Sequence, residues 1–158
     1  MKHIFHIVLA TVAVCIALTA CSDNTCNDNG SSLPLAQCYV GNAQQTISGL
    51  TVKGINVPGD SLLVSSASLK EIYLPLRASV STTSYQISRS RAESATVNDT
   101  VTINYQAIEF FHSIECGAMY NFDIQDVSCT KHGIDSVVVL STLVTNSRIP
   151  ALRIYFKQ

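Results

Sequence analysis

The sequence predicts an all-β chain, an antiparallel β-sandwich of about seven to nine strands, immunoglobulin-like or related. Apolar residues alternate with small hydroxyl residues in short runs, the period of a half-buried strand. Residues with turn chemistry separate those runs. Ser and Thr make up 30 of residues 21–158, and helical stretches with charge pairs four residues apart are absent from the pattern.

Residues 1–20 stand apart. Met1–His6 supplies Lys2, His3 and His6, and Ile7–Leu18 is a run without charge. A basic start, an apolar middle and small residues at the end form the pattern of a secretory signal. The run of about 12 residues is short of the ~20 that cross a bilayer. Its end, Leu18-Thr19-Ala20-Cys21, resembles the lipobox of bacterial lipoproteins. That resemblance implies cleavage before Cys21 and acylation of its thiol, which makes residues 1–20 a lipoprotein signal peptide. Several acyl chains, at ~0.8 kcal/mol per buried methylene, form a stable anchor. Residues 21–33 are polar and short-sided, the composition of a flexible tether, and residues 34–158 are expected to form one β-sandwich domain. The Asn, Asp and Gly of the tether do not make a calcium loop. With Gly30 at the sixth place of an EF-hand, the twelfth falls on Ala36 instead of Glu.

Within the domain, the apolar phase switches from Leu50 and Val52 to Ile55 and Val57 across Gly54, which predicts a bulge there. Val57-Pro58-Gly59-Asp60 reads as a turn. Ser88–Asn98 reads as a polar loop ending in an Asn98-Asp99 turn. Val101, Ile103 and Tyr105 then share one face of a strand, with Thr100, Thr102 and Asn104 on the other. Tyr120, Phe122 and Ile124 repeat the pattern, and Lys131–Gly133 is a turn before the Val137–Leu140 run. Asn146–Pro150 breaks the chain before a last strand, in which Leu152, Ile154 and Phe156 alternate with Arg153, Tyr155 and Lys157.

Nine Lys and Arg against eleven Asp and Glu in residues 21–158 leave no basic footprint for nucleic acid. The apolar content excludes a disordered chain. Cys26, Cys38, Cys116 and Cys129 form an even set in an oxidising compartment, so two disulfides are expected, with three possible connectivities. Intervals of 11 and 12 residues within the pairs, without C-x-x-C, speak against zinc.

No G-x-S-x-G or H-E-x-x-H pattern occurs, and Gly49–Gly54 lacks the Lys-Ser/Thr that follows a phosphate loop. His112, with Glu109 or Glu115 and Ser113 nearby, is the one arrangement from which a hydrolase could be built. The preferred reading is a partly exposed His beside an aromatic pair. Lys131, His132 and Asp135 form a second candidate polar site. There the preferred reading is a turn capped by Asp135. Sugar binding usually needs aromatic platforms. The chain has no Trp, and most of its Tyr residues fall on predicted strands. No metal or other cofactor is expected.

Five stretches, LKEIYLPL (69–76), DTVTINY (99–105), FHSIECG (111–117), TKHGIDS (130–136) and ALRIYF (151–156), resemble a family of small β-rich lipoproteins of unknown function from Bacteroidetes. The resemblance implies an anchored protein without assigned activity. It also implies that Cys116 pairs with an N-terminal cysteine, Cys26 or Cys38, and that Cys129 is an addition. The resulting expectation is a lipid-anchored protein of the bacterial cell envelope, at the outer membrane, on either its periplasmic or its surface face. It would act as a non-enzymatic binding or scaffolding module for an envelope partner. The alternatives are a periplasmic hydrolase using His112 with a nearby carboxylate, and a glycan-binding or adhesion module. No small-molecule ligand is specified.

Overall fold

The computed structural model describes residues 32–57, 61–91, 94–113 and 117–158. These residues form eleven strands and no helix: β1 (Leu35–Val40), β2 (Ala43–Gln44), β3 (Ile47–Ile55), β4 (Leu62–Leu69), β5 (Glu71–Tyr73), β6 (Thr82–Arg91), β7 (Ser94–Ser113), β8 (Gly117–Cys129), β9 (Ile134–Val139), β10 (Leu143–Val144) and β11 (Pro150–Phe156). Eight have six residues or more, within the expected range, and three are short. The strands make two sheets consistent with a β-sandwich. One runs β2-β1-β11-β9, with β5 also beside β1, and the other runs β10-β8-β7-β6-β3-β4. The second sheet is antiparallel throughout, whereas the first joins β1 to β11 in parallel, Cys38 opposite Ile154 and Tyr39 opposite Tyr155.

The two-residue alternation builds the core. Val101, Ile103 and Tyr105 of β7 are buried, as are Leu152, Ile154 and Phe156 of β11. With Leu50, Val52, Ile87 and Ile124 they form one cluster shared by both sheets. Each fully buried aliphatic side chain contributes about 1.5–3 kcal/mol. β8 departs from the expectation at Tyr120, which is exposed while Phe122 and Ile124 are buried. The cause is a difference in strand length. β6 leaves β7 at Asn104 and β10 reaches only Phe122, whereas β7 and β8 stay paired as far as Ser113 and Gly117. Among the described residues this hairpin projects beyond the sandwich as a two-stranded arm. Ser32, buried just before β1, donates a hydrogen bond to Asn121 on the arm, at 2.9 Å.

Two expectations are corrected. The Ser88–Asn98 segment is largely strand, because β6 and β7 pair from Thr82↔Asn104 to Arg91↔Ser94, and Asn98 and Asp99 lie inside β7 instead of forming a turn. The bulge falls at Gly49 and not at Gly54. Between Ile47↔Leu69 and Leu50↔Ala67, β3 advances three residues against two on β4, and Gly49 takes φ +66°. A Cβ at Gly49 would lie 2.4 Å from the Ser90 carbonyl oxygen, so only glycine fits. Two further register shifts follow on β4, one of them at Ser66 with φ +44°. Gly54 stays in register with β6 opposite Tyr85, its missing side chain replaced by Val57 folded over it. Pro58–Asp60 lies outside the described residues.

Two connections that cross between the sheets are tied down by buried polar side chains. On the β5–β6 connection, the Tyr105 hydroxyl accepts from the Arg77 backbone N–H at 3.0 Å and donates to the Arg77 carbonyl at 2.9 Å. It also meets the Thr83 hydroxyl at 2.8 Å. The Tyr85 hydroxyl donates to the Pro75 carbonyl. The β8–β9 connection is held by Asp99.

Candidate functional site

The predicted polar site divides in the structure. Asp99, buried on β7, is its centre. Oδ1 accepts from the Thr130 hydroxyl and the His132 backbone N–H, both at 2.8 Å, and Oδ2 accepts from the N–H groups of Gly133 at 2.6 Å and Ile134 at 2.8 Å. Burial pushes the carboxyl's pKa up. The His132, Gly133, Thr130 and Ile134 donors outweigh it and hold the group below the usual carboxylate range. The exposed His132 ring places Nδ1 3.1 Å from the Asn98 carbonyl and 3.4 Å from Asp99 Oδ1. Lys131 joins the cluster through its carbonyl, which accepts from Lys157 Nζ at 2.6 Å.

Asp135 points elsewhere, into a shallow hollow shared with Tyr155 and Lys157. The cap of this turn is therefore Asp99, and the stretches DTVTINY and TKHGIDS meet at that carboxylate. With four donors bound it serves as a structural clamp and not as a free base. The sequence did carry a signal for it. Position 99 lies in the inward phase of Val101, Ile103 and Tyr105, where a carboxylate must be buried and satisfied.

The side chain of His112 lies outside the described residues, as do Glu115, Cys21, Cys26 and Cys116, while Glu109 is exposed on the arm. Cys38 and Cys129 are free thiols. Burial, reinforced by the Glu71 charge, pushes the Cys38 thiol up to about 12, the state of an inert core cysteine. Cys129 is half-buried and raised as well, chiefly by burial. Among the described residues no cluster of three or more His, Cys, Asp or Glu could hold a metal ion.

A second constellation lies on the outer face of the first sheet, and no single-residue motif announced it. The parallel β1–β11 register sets Tyr39 beside Tyr155 and Gln37 beside Arg153. The rings of Tyr39 and Tyr155 lie 5.6 Å apart, tilted by 52°. The Arg153 guanidinium sits over the Tyr39 ring, 4.3 Å from its centroid, and donates from Nη1 to the Tyr155 hydroxyl at 3.2 Å. Its Nε is buried without a partner among the described residues. On β5, next to β1, Glu71 accepts from Arg148 at 3.1 Å and from Gln44 at 3.3 Å. The Arg148 hydrogen bond is the main reason that its carboxyl titrates below the usual range. The face is thus a row of preset planar groups, aromatic at one end and charged at the other.

A family model described as a family of unknown function (DUF6452) matches residues 49–156. That span contains all five stretches on which the resemblance rests, as well as Gly49, Asp99 and Arg153. No curated protein and no solved structure matches the chain.

Proposed function

The chain belongs to DUF6452, a family of unknown function, and from that premise we propose that it is a lipid-anchored protein of the bacterial cell envelope. In this reading it is a lipoprotein of the Bacteroidetes kind at the outer membrane, and its β-sandwich is a non-enzymatic binding module for another envelope protein. The observation that carries the binding role is the Tyr39–Arg153–Tyr155 row. Tyr and Arg are the residues that dominate the energetics of protein interfaces. These three are held by a central pair of strands instead of a loop. A protein surface suits the row better than a sugar does. A sugar stacks on an open aromatic face, and the Arg153 guanidinium already covers a face of Tyr39. The anchor is supported by the Leu18–Cys21 lipobox and the polar residues after it.

Two measurements test the reading. Mass spectrometry of the mature N-terminus should find acylated Cys21, and Cys21→Ser should move the protein from the membrane to the soluble fraction. An unmodified Cys21 would end the anchoring half. Crosslinking in whole cells should capture an envelope protein that the double variant Tyr39→Ala/Arg153→Ala loses while its melting temperature stays within about 5 °C of the parent. Undiminished capture by the folded double variant would end the binding half.

A further inference from the structure

The β7–β8 arm leaves the sandwich with large apolar side chains in water. Phe111 is 68% exposed, and Ile108 and Tyr120 are exposed as well. Neighbouring residues on a strand point to opposite faces, so Ile108 lies on one face of the arm and Phe111 on the other. Tyr120, opposite Glu109, shares the face of Phe111. Val80 and Leu143, also exposed, stand beside the base of the arm. The Ser81 carbonyl accepts from the Tyr105 N–H at 2.8 Å, and Leu143 pairs with Asp123. Residues 104–123 contain no Lys or Arg, whereas Arg89, Lys131 and Lys157 meet at the opposite end of the sandwich. The chain also enters the described fold at the arm, because Ser32 is bound to Asn121. Residues 22–31 hold no Leu, Ile, Val, Met or aromatic residue, so they offer nothing large and apolar to cover it.

We propose that the end of this arm dips into the lipid surface that holds Cys21, an inference that rests on the lipid-anchor reading. Cys21 lies eleven residues before Ser32, a reach of at most roughly 36–40 Å however the chain runs. The anchoring surface is therefore close to the base of the arm. A protein partner covers one face of a hairpin, whereas lipid surrounds both, which is what the opposed Ile108 and Phe111 require. The backbone limits the depth. Each strand of a two-stranded arm has an outer row of unpaired N–H and C=O groups, which hydrocarbon cannot satisfy. The arm thus enters only the boundary between headgroups and acyl chains, ~5–10 Å deep. Phe111 lies two residues beyond Glu109, about 7 Å along the strand. Phe111 then reaches the acyl boundary while the Glu109 carboxylate stays among headgroups and water. Tyr120, opposite Glu109, stands at headgroup level, where both its ring and its hydroxyl are accommodated.

The chain has no Trp, so Phe111→Trp places a single fluorescent reporter on the arm and Gln158→Trp places one at the opposite end. Each acylated variant is reconstituted in dioleoylphosphatidylcholine vesicles. The emission of Phe111→Trp should shift to shorter wavelength and be quenched by phosphatidylcholine brominated on its acyl chains, and Gln158→Trp should show neither effect. A Phe111→Trp reporter that stays unshifted and unquenched overturns the proposal, as does equal quenching of the two variants. A shift without quenching would mean that a second copy of the chain covers the arm, which overturns it too. The unacylated Cys21→Ser chain separates the arm from the anchor. A dip this shallow holds it only at high lipid concentration, where Cys21→Ser/Phe111→Trp should give the same shift. Phe111→Ser should weaken the partition of the Cys21→Ser chain, read by sedimentation with the vesicles, about tenfold or more. Undiminished partition of the folded Phe111→Ser chain overturns the role of the arm. An unmodified Cys21 in the native protein, with partition through Phe111 intact, would end the anchoring reading alone and support the contact of the arm with lipid.

Discussion

Replacing Asp99 with asparagine preserves the shape of the side chain and takes away half of its acceptors. Oδ1 and Oδ2 each receive two hydrogen bonds, so whichever position becomes the amide nitrogen then faces two donors with a third. Hydrogen bonds to a charged group contribute roughly 1.5–3 kcal/mol each. Losing two costs about 3–6 kcal/mol, a large part of the roughly 5–15 kcal/mol that holds a domain folded. At about 4 °C per kcal/mol for a domain of this size, Asp99→Asn should melt roughly 12–24 °C below the parent at neutral pH. The folded carboxyl titrates below its ordinary range. Its contribution is therefore complete above the unfolded value of about 3.9 and disappears as pH falls through the lower folded value. The gap between parent and variant should close in that acid range. Circular dichroism melts of both proteins from pH 7 down to about pH 2 measure it. A gap of less than about 2 °C at neutral pH, or one that stays constant into acid, would refute the clamp.

Gly49→Ala should cost about 2 kcal/mol or more. The φ of +66° penalises any side chain, and the Ser90 carbonyl blocks the Cβ. Gly41→Ala, at φ +58° with nothing within 4 Å, should cost only about 1 kcal/mol, and urea midpoints compare the two. Tyr105→Phe strands the Arg77 N–H, the Arg77 carbonyl and the Thr83 hydroxyl. It should destabilise by about 2–4 kcal/mol in a chemical melt, and a neutral result would show that water replaces the hydroxyl. Cys38, fully buried and with its thiol pushed up to about 12, should resist a thiol reagent at pH 8 until the protein unfolds. Cys129 should react earlier, and mass spectrometry of the labelled peptides separates them.

The sandwich was legible because alternation is a local signal. Val101, Ile103 and Tyr105 declare an inward face whatever their neighbours are, and Leu152, Ile154 and Phe156 do the same. What the sequence hid was non-local. Asn98 and Asp99 carry turn chemistry, yet β6 supplies a partner ladder along that stretch and tertiary pairing overrides the local preference. Gly54 and Gly49 look alike as glycines within a strand, and only the approach of Ser90 tells which one is indispensable. Asp135 stands nearer the turn in sequence, but Asp99, more than thirty residues before it, reaches the turn in space. The Tyr39–Arg153–Tyr155 row was invisible for a related reason. Its members come from the first and last long strands, and nothing local foretells a parallel pairing between them.

That pairing also has a consequence in time. The partners of β1 on one side are β2 and β5, both in the first half of the chain, but on the other side β1 must wait for β11, from Leu35↔Pro150 to Val40↔Phe156. Contacts this distant in sequence close late, because a long loop must be ordered before they form. Until the last strand arrives, one edge of β1 is open and Cys38 lacks the Ile154 backbone beside it. The interval in which the Cys38 thiol can exchange with a disulfide or meet a thiol reagent is therefore set by the docking of residues 150–156. A chain that stops before them would keep that cysteine chemically available indefinitely.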